Sequence, residues 1–449
     1  MQASELPTTA QPAGVRLLLA RMRASQGVRG GVILSAATLV FNGAAYIYYV
    51  ACIRYLGSRV YGDVAAMLAV FALVSLPLVS IQSLLAREVA QMSSDRAIRG
   101  LLRRWTYLAA ALGLALVTVG ALFVQQIRGL LNIASNEIVL AGISAIFFAV
   151  VATVFYGFLQ GKLRFRALGV TYSASGVSRP VLVVPALLLG FGATGALLVN
   201  TVAGLLAVAI AGFALRDLWL RAPRVHAPSL DRRQMAVLLI GSLAFASLTN
   251  VDVLLAAYFF PGDVAGVYAA AALVGKAVLF LPTAVVTVLL PKAAARAAAG
   301  ISSRRILLAS AGVTCALTLF ATVILALVPE SLLVWAFGGD FRDSTALLGW
   351  FGLAMSACAL LNVYLAVYFA ERDMRFPLLV LGAAVAQVVA VCLWHPNPRS
   401  IVLVTLICAT AVLGIHELAF PHALIRGRRS RRRAVAETAS DSPTPLSPL

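Results

Sequence analysis

The chain has 449 residues, of which 61% are hydrophobic and 12% charged, and its mean hydropathy is +0.94. Soluble domains have a much smaller apolar excess, so this composition argues against a soluble enzyme. The formal net charge is +19, which in a soluble protein would favour nucleic-acid binding. The meaning of that charge therefore depends on where the basic residues lie.

Long apolar stretches recur along the whole chain with only short gaps between them. A transmembrane helix needs about 20 predominantly apolar residues, and twelve stretches of about that length are present. The sequence therefore predicts an all-α polytopic membrane protein with twelve transmembrane helices and no inserted soluble domain. The predicted spans are 31–53, 63–85, 106–125, 138–159, 168–190, 194–215, 235–259, 265–291, 306–328, 345–369, 376–394 and 400–421.

The basic residues are concentrated on one side of this arrangement. Of the 36 Lys and Arg residues, 29 lie in alternate gaps that include both termini, five lie in the other gaps, and Arg179 and Lys276 lie inside spans. By the positive-inside rule, both termini are predicted to be cytoplasmic, in agreement with an even number of spans. The charge thus faces anionic lipid, and the nucleic-acid interpretation loses its support.

A parallel internal repeat is indicated by the first two spans and by spans seven and eight. In each pair a Gly/Tyr turn precedes a long helix that contains Leu-Pro, and a basic residue follows the proline ten positions later. Pro77 and Arg87 correspond to Pro282 and Lys292 at a constant offset of 205 residues. Secondary transporters use such repeats, so we expect two six-helix lobes.

The predicted organisation has five segments. The Pro/Ser-rich end of the chain cannot bury a core and is predicted to be disordered. The segments are a cytoplasmic basic N-terminal segment (1–30), an N-lobe with helices 1–6 (31–215), a cytoplasmic linker (216–234), a C-lobe with helices 7–12 (235–421) and a basic cytoplasmic tail (422–449).

Three motifs resemble a known transporter family. They are RYLGSRVYGDVAAM at 54–67, FYGFLQGKLRFRAL at 155–168 and NVDVLLAAYFFPGDVAGVYAAAALVGKAVLFLP at 250–282. They resemble the oligosaccharide flippases of bacterial polysaccharide assembly, within the multidrug/oligosaccharidyl-lipid/polysaccharide exporter superfamily. The resemblance covers spans 1 to 8; spans 9 to 12 are similar in number and hydropathy. It implies a V-shaped pair of lobes around a central cavity that moves a lipid-linked oligosaccharide to the outer leaflet by alternating access.

Other functions have weaker support in the sequence. There is no GxxxxGK[ST] motif, which argues against ATP hydrolysis, and no His/Cys spacing indicates a metal or a cofactor. The alternatives within transporters are a multidrug or organic-cation antiporter and a flippase for the peptidoglycan lipid precursor. The enzyme alternative, a membrane glycosyltransferase or polymerase, lacks an outer loop large enough for a catalytic site, so we expect no catalytic residues.

Arg179 is the first candidate for a cavity residue. It lies halfway along span 5 and shares a helical face with Tyr172 and Ser175. A charge near the bilayer centre costs at least about 2.5 kcal/mol, so it needs a partner or water. A guanidinium there is suited to the pyrophosphate or acidic sugars of a lipid-linked substrate. The alternative is a structural pair with a carboxylate or with free carbonyls.

Lys276 and Asp252 form the second candidate. They lie in spans 8 and 7, and the helical rise places them close enough for the lysine to reach the acid. One interpretation is a static ion pair. The other is that Asp252 titrates or binds a proton or sodium ion and releases Lys276 for the substrate, which would couple ion flow to lobe movement.

Polar side chains along span 1 form the third candidate, a stripe suited to sugar contact or to interhelical hydrogen bonds. Because the resemblance places spans 1 and 7 at the cavity, Asn42, Tyr46 and Asn250 are expected to contact substrate. The expected partners are the lipid-linked oligosaccharide, a bilayer with an anionic inner leaflet and other polysaccharide-assembly proteins, in a bacterial inner membrane. The stripe comprises Ser35, Thr38, Asn42, Tyr46 and Tyr49.

Overall fold

The computed structural model describes residues 13–219, 231–281 and 304–420. All regular secondary structure in these ranges is helical, and ten of the helices are long and apolar enough to cross a membrane. This confirms the predicted all-α polytopic membrane fold, whereas the count of twelve spans and the side on which the termini lie stay predictions. The helices are α1 (Ala13–Gln91), α2 (Asp95–Leu122), α3 (Val124–Leu130), α4 (Asn136–Gly161), α5 (Phe165–Leu188), α6 (Gly192–Ala214), α7 (Arg216–Trp219), α8 (Arg232–Phe259), α9 (Gly262–Lys276), α10 (Arg304–Ala326), α11 (Glu330–Phe337), α12 (Thr345–Glu371), α13 (Arg375–Leu393) and α14 (Pro398–Ala419).

Helix α1 contains the first two predicted spans, and the chain reverses direction between them. Phe41 and Gln82 both contact Tyr172 of α5: the Phe41 and Tyr172 ring centroids are 5.9 Å apart, and the Gln82 amide donates to the Tyr172 hydroxyl at 3.1 Å. In a straight helix these two residues would be about 60 Å apart. The reversal occurs at Gly57, whose φ of 73° and ψ of 171° suit a residue without a Cβ.

Helix α5 is not among the ten strongly apolar helices. It nevertheless has a length of 24 residues and continues through Pro180 and Pro185. Its hydropathy is lowered by Arg179 and by several hydroxyl side chains. This helix of spanning length, which is not among the ten, is the one that carries the candidate cavity cation.

The helices pack in two groups that meet along α1. Helix α4 contacts α1, α2 and α6, and α5 contacts α1 and α6. In the second group α12 contacts α9, α10 and α14, and α8 contacts α13. Helix α1 also contacts α8 and α9, so the second group packs against the first along α1.

Several element boundaries differ from the sequence-based ones. Helix α2 begins at Asp95 rather than near 106, because the Ser94 hydroxyl accepts a hydrogen bond from the Ala97 amide and caps the helix. Helix α8 begins inside the predicted linker, and α7 and α11 occupy predicted gaps. The end of span 8, with Pro282 and Lys292 of the predicted repeat, lies outside the described residues, as does the tail.

Ion pairs gather at the end of the molecule that carries most of the basic turns, here called the basic end. Lys162 pairs with Asp95 at 2.8 Å, and Arg372 pairs with Asp231 at 2.7 Å. The opposite end, which includes Gly57, is the one that the positive-inside rule predicts to face outward, and it is called the outer end. The turns that precede and follow a long helix thus lie at opposite ends of the molecule, one at the basic end and one at the outer end.

Arg164 and Asp217 form a further pair at the basic end, and it gives a pH-dependent prediction. Their atoms lie 2.5 Å apart, and Arg164 also donates to the Ala214 carbonyl at the end of α6. The hydrogen bond from Arg164 lowers the pKa of Asp217 below its usual range. A lowered pKa adds stability above the unfolded-state pKa, and this is lost as the pH falls through the folded-state pKa.

We expect Asp217→Asn to destabilise the protein by about 0.5–1 kcal/mol at neutral pH, as for exposed pairs. The difference from wild type should begin to shrink below about pH 4, where the unfolded-state carboxyl becomes protonated, and should vanish only below the lowered pKa of the folded-state carboxyl. Thermal unfolding in detergent across this pH range measures the effect. A variant whose deficit is the same at acidic and neutral pH would contradict it.

Candidate functional site between the two helix groups

Arg179 is a half-buried cation that no carboxylate of the described residues contacts. Within the described residues it forms no ion pair, and its Nε atom is buried with no hydrogen-bond acceptor. The guanidinium carbon lies 4.8 Å from the centroid of the Phe41 ring, a cation–π contact. The ring satisfies the charge in part and leaves the hydrogen-bond donors free for a ligand.

The residues that share a face with Arg179 form a polar network across three helices. Tyr172 of α5 bonds to Gln82 of α1, which also donates to Gln160 of α4 at 3.0 Å. The Tyr172 and Tyr156 rings are in contact, with centroids 4.8 Å apart. Ser175 is buried, and its hydroxyl donates to the Tyr172 carbonyl within the helix. The network fixes the face on which Arg179 is presented.

The span 1 candidates have different surroundings. Tyr46 donates its hydroxyl to the Leu273 carbonyl of α9 at 3.3 Å, so it crosses between the two helix groups. Asn42 is half-buried, and its amide has no hydrogen-bond partner within the described ranges. Thr38 bonds to the Leu34 carbonyl of its own helix. Tyr46 is therefore the member of the stripe that bonds across to the second helix group, and a substrate contact of Asn42 or Tyr46 stays a prediction.

Asp252 and Lys276 meet, as the helical rise indicated. The lysine Nζ lies 3.0 Å from the carboxylate, which is 1% exposed, and the lysine side chain is 16% exposed. Tyr268 donates its hydroxyl to the other carboxylate oxygen at 3.2 Å. The acid is thus held by one charged and one neutral donor, which satisfies a buried carboxylate.

Asn250, the other span 7 candidate, bonds within its own helix. Its amide donates to the Ala246 carbonyl at 2.9 Å and to the Thr249 hydroxyl at 3.0 Å. The structure therefore places Asn250 close to Asp252 along α8, with its donors already occupied.

Two groups important for the site did not emerge from the sequence. Tyr268 lies eight positions before Lys276, a spacing that repeats a helical face, so periodicity offered a signal. Gln160 pairs with Gln82 across a gap in sequence that no local pattern encodes. Its position in the polar network became visible only in the fold.

The two helix groups are in contact at both ends. At the basic end Arg87 donates to the Gln234 side chain at 3.2 Å. At the outer end Arg54 donates to the Trp335 carbonyl at 2.5 Å, and Asn132 donates to the Ala257 carbonyl at 3.0 Å. The structure therefore represents a state closed at these contacts.

Gly266 marks the closest approach at the outer end. A Cβ added there would lie 1.8 Å from the Ser58 carbonyl oxygen, so only a glycine fits. A Cβ added at Gly62 would likewise lie 2.6 Å from the carbonyl oxygen of Gly262. These backbone contacts close the outer end between α1 and α9.

Comparison with known families gives a match over more than half of the chain. Residues 28–295 match the profile of the family described as "Polysaccharide biosynthesis protein". Comparison with curated sequences finds no significant match.

Solved structures share the fold. The lipid II flippase MurJ in an inward closed conformation is similar with a TM-score of 0.64 and 14% identity, over 92% of this chain and 94% of that chain. The eukaryotic MATE transporter AtDTX14 is similar with a TM-score of 0.64 and 14% identity, over 91% of this chain and 99% of that chain. A MOP superfamily transporter from Pyrococcus furiosus is similar with a TM-score of 0.59 and 13% identity, over 89% of this chain and 95% of that chain. At these identities the likeness concerns the fold.

Proposed function

The chain belongs to the polysaccharide biosynthesis protein family, and we propose that it moves a lipid-linked oligosaccharide from the cytoplasmic to the outer leaflet by alternating access. It is a multi-pass membrane transporter of the multidrug/oligosaccharidyl-lipid/polysaccharide exporter superfamily and not an enzyme. The proposed membrane is the bacterial inner membrane.

The observation that carries this proposal is the unpaired guanidinium of Arg179. A cation inside a membrane costs several kcal/mol unless a partner compensates it, and no carboxylate does so among the described residues. A pyrophosphate-linked lipid supplies the missing anion and accepts two hydrogen bonds from the guanidinium fork. An organic cation would be repelled, which disfavours the multidrug alternative.

Sugar recognition is proposed for Asn42, which follows Phe41 in sequence, and for the polar network on the helical face of Arg179. Asn42 has donors and an acceptor that form no hydrogen bond within the described residues, and the network of Tyr172 and Gln82 presents amide and hydroxyl groups. Such groups suit the hydroxyls of an uncharged or acidic oligosaccharide. Tyr46 of α1 and Asn250 of α8 are proposed as further contacts to the sugar.

Ion coupling is proposed for Asp252. Protonation of this buried carboxylate would remove the charge that holds Lys276, and Lys276 lies one helical turn from Leu273, whose carbonyl binds Tyr46. We expect Asp252→Asn to abolish the dependence of transport on the proton gradient. Unchanged dependence in this variant, measured with imposed proton or sodium gradients, would show that Asp252 is not the coupling residue.

Deletion of the gene tests the proposed cargo in the cell. Lipid-linked oligosaccharide should accumulate and surface polysaccharide should fall, because synthesis continues while transfer to the outer leaflet stops. If no such intermediate accumulates and surface polysaccharide is unchanged, the proposed function is wrong.

A further inference from the structure

A cavity whose mainly apolar wall carries several charged side chains opens at the outer end, and none of its lining residues belongs to the Arg179 network. Its volume is about 540 Å³, and its wall combines residues of the second helix group with Ser58 of α1. We call it the outer pocket. It holds three carboxylates, Asp263, Asp340 and Asp343, against one guanidinium, Arg399, and the guanidinium carbon of Arg399 lies 4.3 Å from the centroid of the Trp350 ring. This excess of negative charge raises the local concentration of small cations.

The outer pocket is connected to the buried ion pair by one side chain. Tyr268 lines the pocket, is 0% exposed to solvent, and donates its hydroxyl to Asp252 at 3.2 Å. Asp252 in turn accepts a hydrogen bond from Lys276 at 3.0 Å. The phenol thus stands between the cavity and the only buried carboxylate in the described part of α8 and α9.

The dimensions of this connection favour a proton over a metal ion. Asp252 and Tyr268 are both almost fully buried, so a hydrated ion has no open path past the ring. No three His, Cys, Asp or Glu side chains in the described ranges are arranged to hold a metal ion. A hydroxyl can transmit a proton without moving aside, because it accepts one hydrogen bond while it donates another.

We propose that the outer pocket collects protons from the outer side and that Tyr268 passes them to Asp252. A hydronium ion in the pocket gives a proton to the Tyr268 oxygen and becomes water. The original hydroxyl proton moves to the Asp252 carboxylate, so that one O–H bond breaks as another forms. The net change is one neutral carboxyl group, with tyrosine restored. This inference rests on the proposed coupling role of Asp252.

The groups that face Asp252 define what its protonation changes. Lys276 and Tyr268 face it from α9, and the Cys358 thiol faces it from α12. Of these three, only Lys276 forms an ion pair with the carboxylate. Protonation therefore leaves the ammonium group of Lys276 without its counter-ion, beside the helical turn that contacts Tyr46.

The matched substitution is Tyr268→Phe, which removes the relay hydroxyl and keeps the buried ring. In the purified full chain in lipid nanodiscs, infrared spectroscopy after a rapid pH drop follows the carboxyl band that Asp252→Asn removes. We expect Tyr268→Phe to slow the rise of this band at least about tenfold with the same final amplitude. Tyr258→Phe, an exposed phenol at the outer end of α8, should behave as wild type.

The role of the three carboxylates of the outer pocket is tested by the rate at which Asp252 is protonated. Replacing Asp263, Asp340 and Asp343 together by Asn should slow protonation several-fold, since the negative potential that attracts the proton is removed. Wild-type rates in both Tyr268→Phe and the triple variant would overturn the route, as would a carboxyl band that never appears in wild type.

Failure of the route and failure of the proposed function give different results. If Asp252→Asn uncouples transport while Tyr268→Phe protonates at the wild-type rate, the coupling role stands and the route is wrong. If protonation follows the expected pattern while the wild type moves no lipid-linked oligosaccharide, the route stands and the proposed cargo is wrong. Infrared detection needs no substrate, so each result decides one claim.

Discussion

Arg179→Met is expected to lower oligosaccharide transport by about 100-fold, the equivalent of about 3 kcal/mol, while the protein still folds and inserts. Methionine keeps the contact with Phe41 and removes the two hydrogen bonds that a guanidinium fork gives to a phosphate. It also removes an uncompensated charge from the membrane interior, so stability should rise or stay the same. Arg179→Lys should recover part of the rate, because it restores the charge without the fork.

The control for this variant is Arg103→Met. The Arg103 guanidinium also lies over an aromatic ring, 5.7 Å from the centroid of Tyr107, but on α2 near the basic end. The Arg103→Met variant should transport oligosaccharide at the wild-type rate. Transport that survives in Arg179→Met, or that falls equally in both variants, would contradict a role of Arg179 in substrate binding.

Gly266→Leu is expected to hold the outer end open and to abolish transport. Any Cβ at this position meets the Ser58 carbonyl, and overpacking of this kind costs about 1–3 kcal/mol. A cost of that size shifts the balance between closed and open states by about fivefold to 150-fold. Because alternating access needs both states, a transporter fixed in one of them completes no cycle.

The outer state of this variant can be measured by labelling. Ser58→Cys, in a chain whose five native cysteines are replaced, should react slowly with a membrane-impermeant maleimide from outside and faster when Gly266→Leu is added. Gly382→Leu is the control, since an added Cβ there meets no atom within 4 Å. Equal labelling in all three proteins would show that the glycine contact does not close the outer end.

Features that follow from periodicity were accessible from the sequence. The shared face of Tyr172 and Arg179 depends only on the helical repeat, and the contact between Asp252 and Lys276 depends on two adjacent helices and their rise. Hydropathy and charge likewise indicated the all-α membrane fold. In each case a local rule was sufficient.

Features that depend on contacts between distant helices were not accessible. The bond between Gln82 and Gln160 requires knowledge of which helices are neighbours. The outer pocket brings together Ser58, Asp263 and Arg399 from three separate turns, and its link to Asp252 through Tyr268 depends on side-chain direction. The approach of Gly266 to Ser58 depends on the packing of two backbones, to which residue polarity gives no guide.

Reconstitution of the purified protein tests the central claim most directly. Lipid-linked oligosaccharide extracted from cells that lack the protein is incorporated into liposomes with the full chain, and its outer-leaflet fraction is measured with a membrane-impermeant oxidant that attacks the sugar. The wild type should render the protected pool accessible when a proton gradient is applied, and Arg179→Met should not. A protected pool that stays protected with the wild type, or that becomes equally accessible with Arg179→Met, would contradict it.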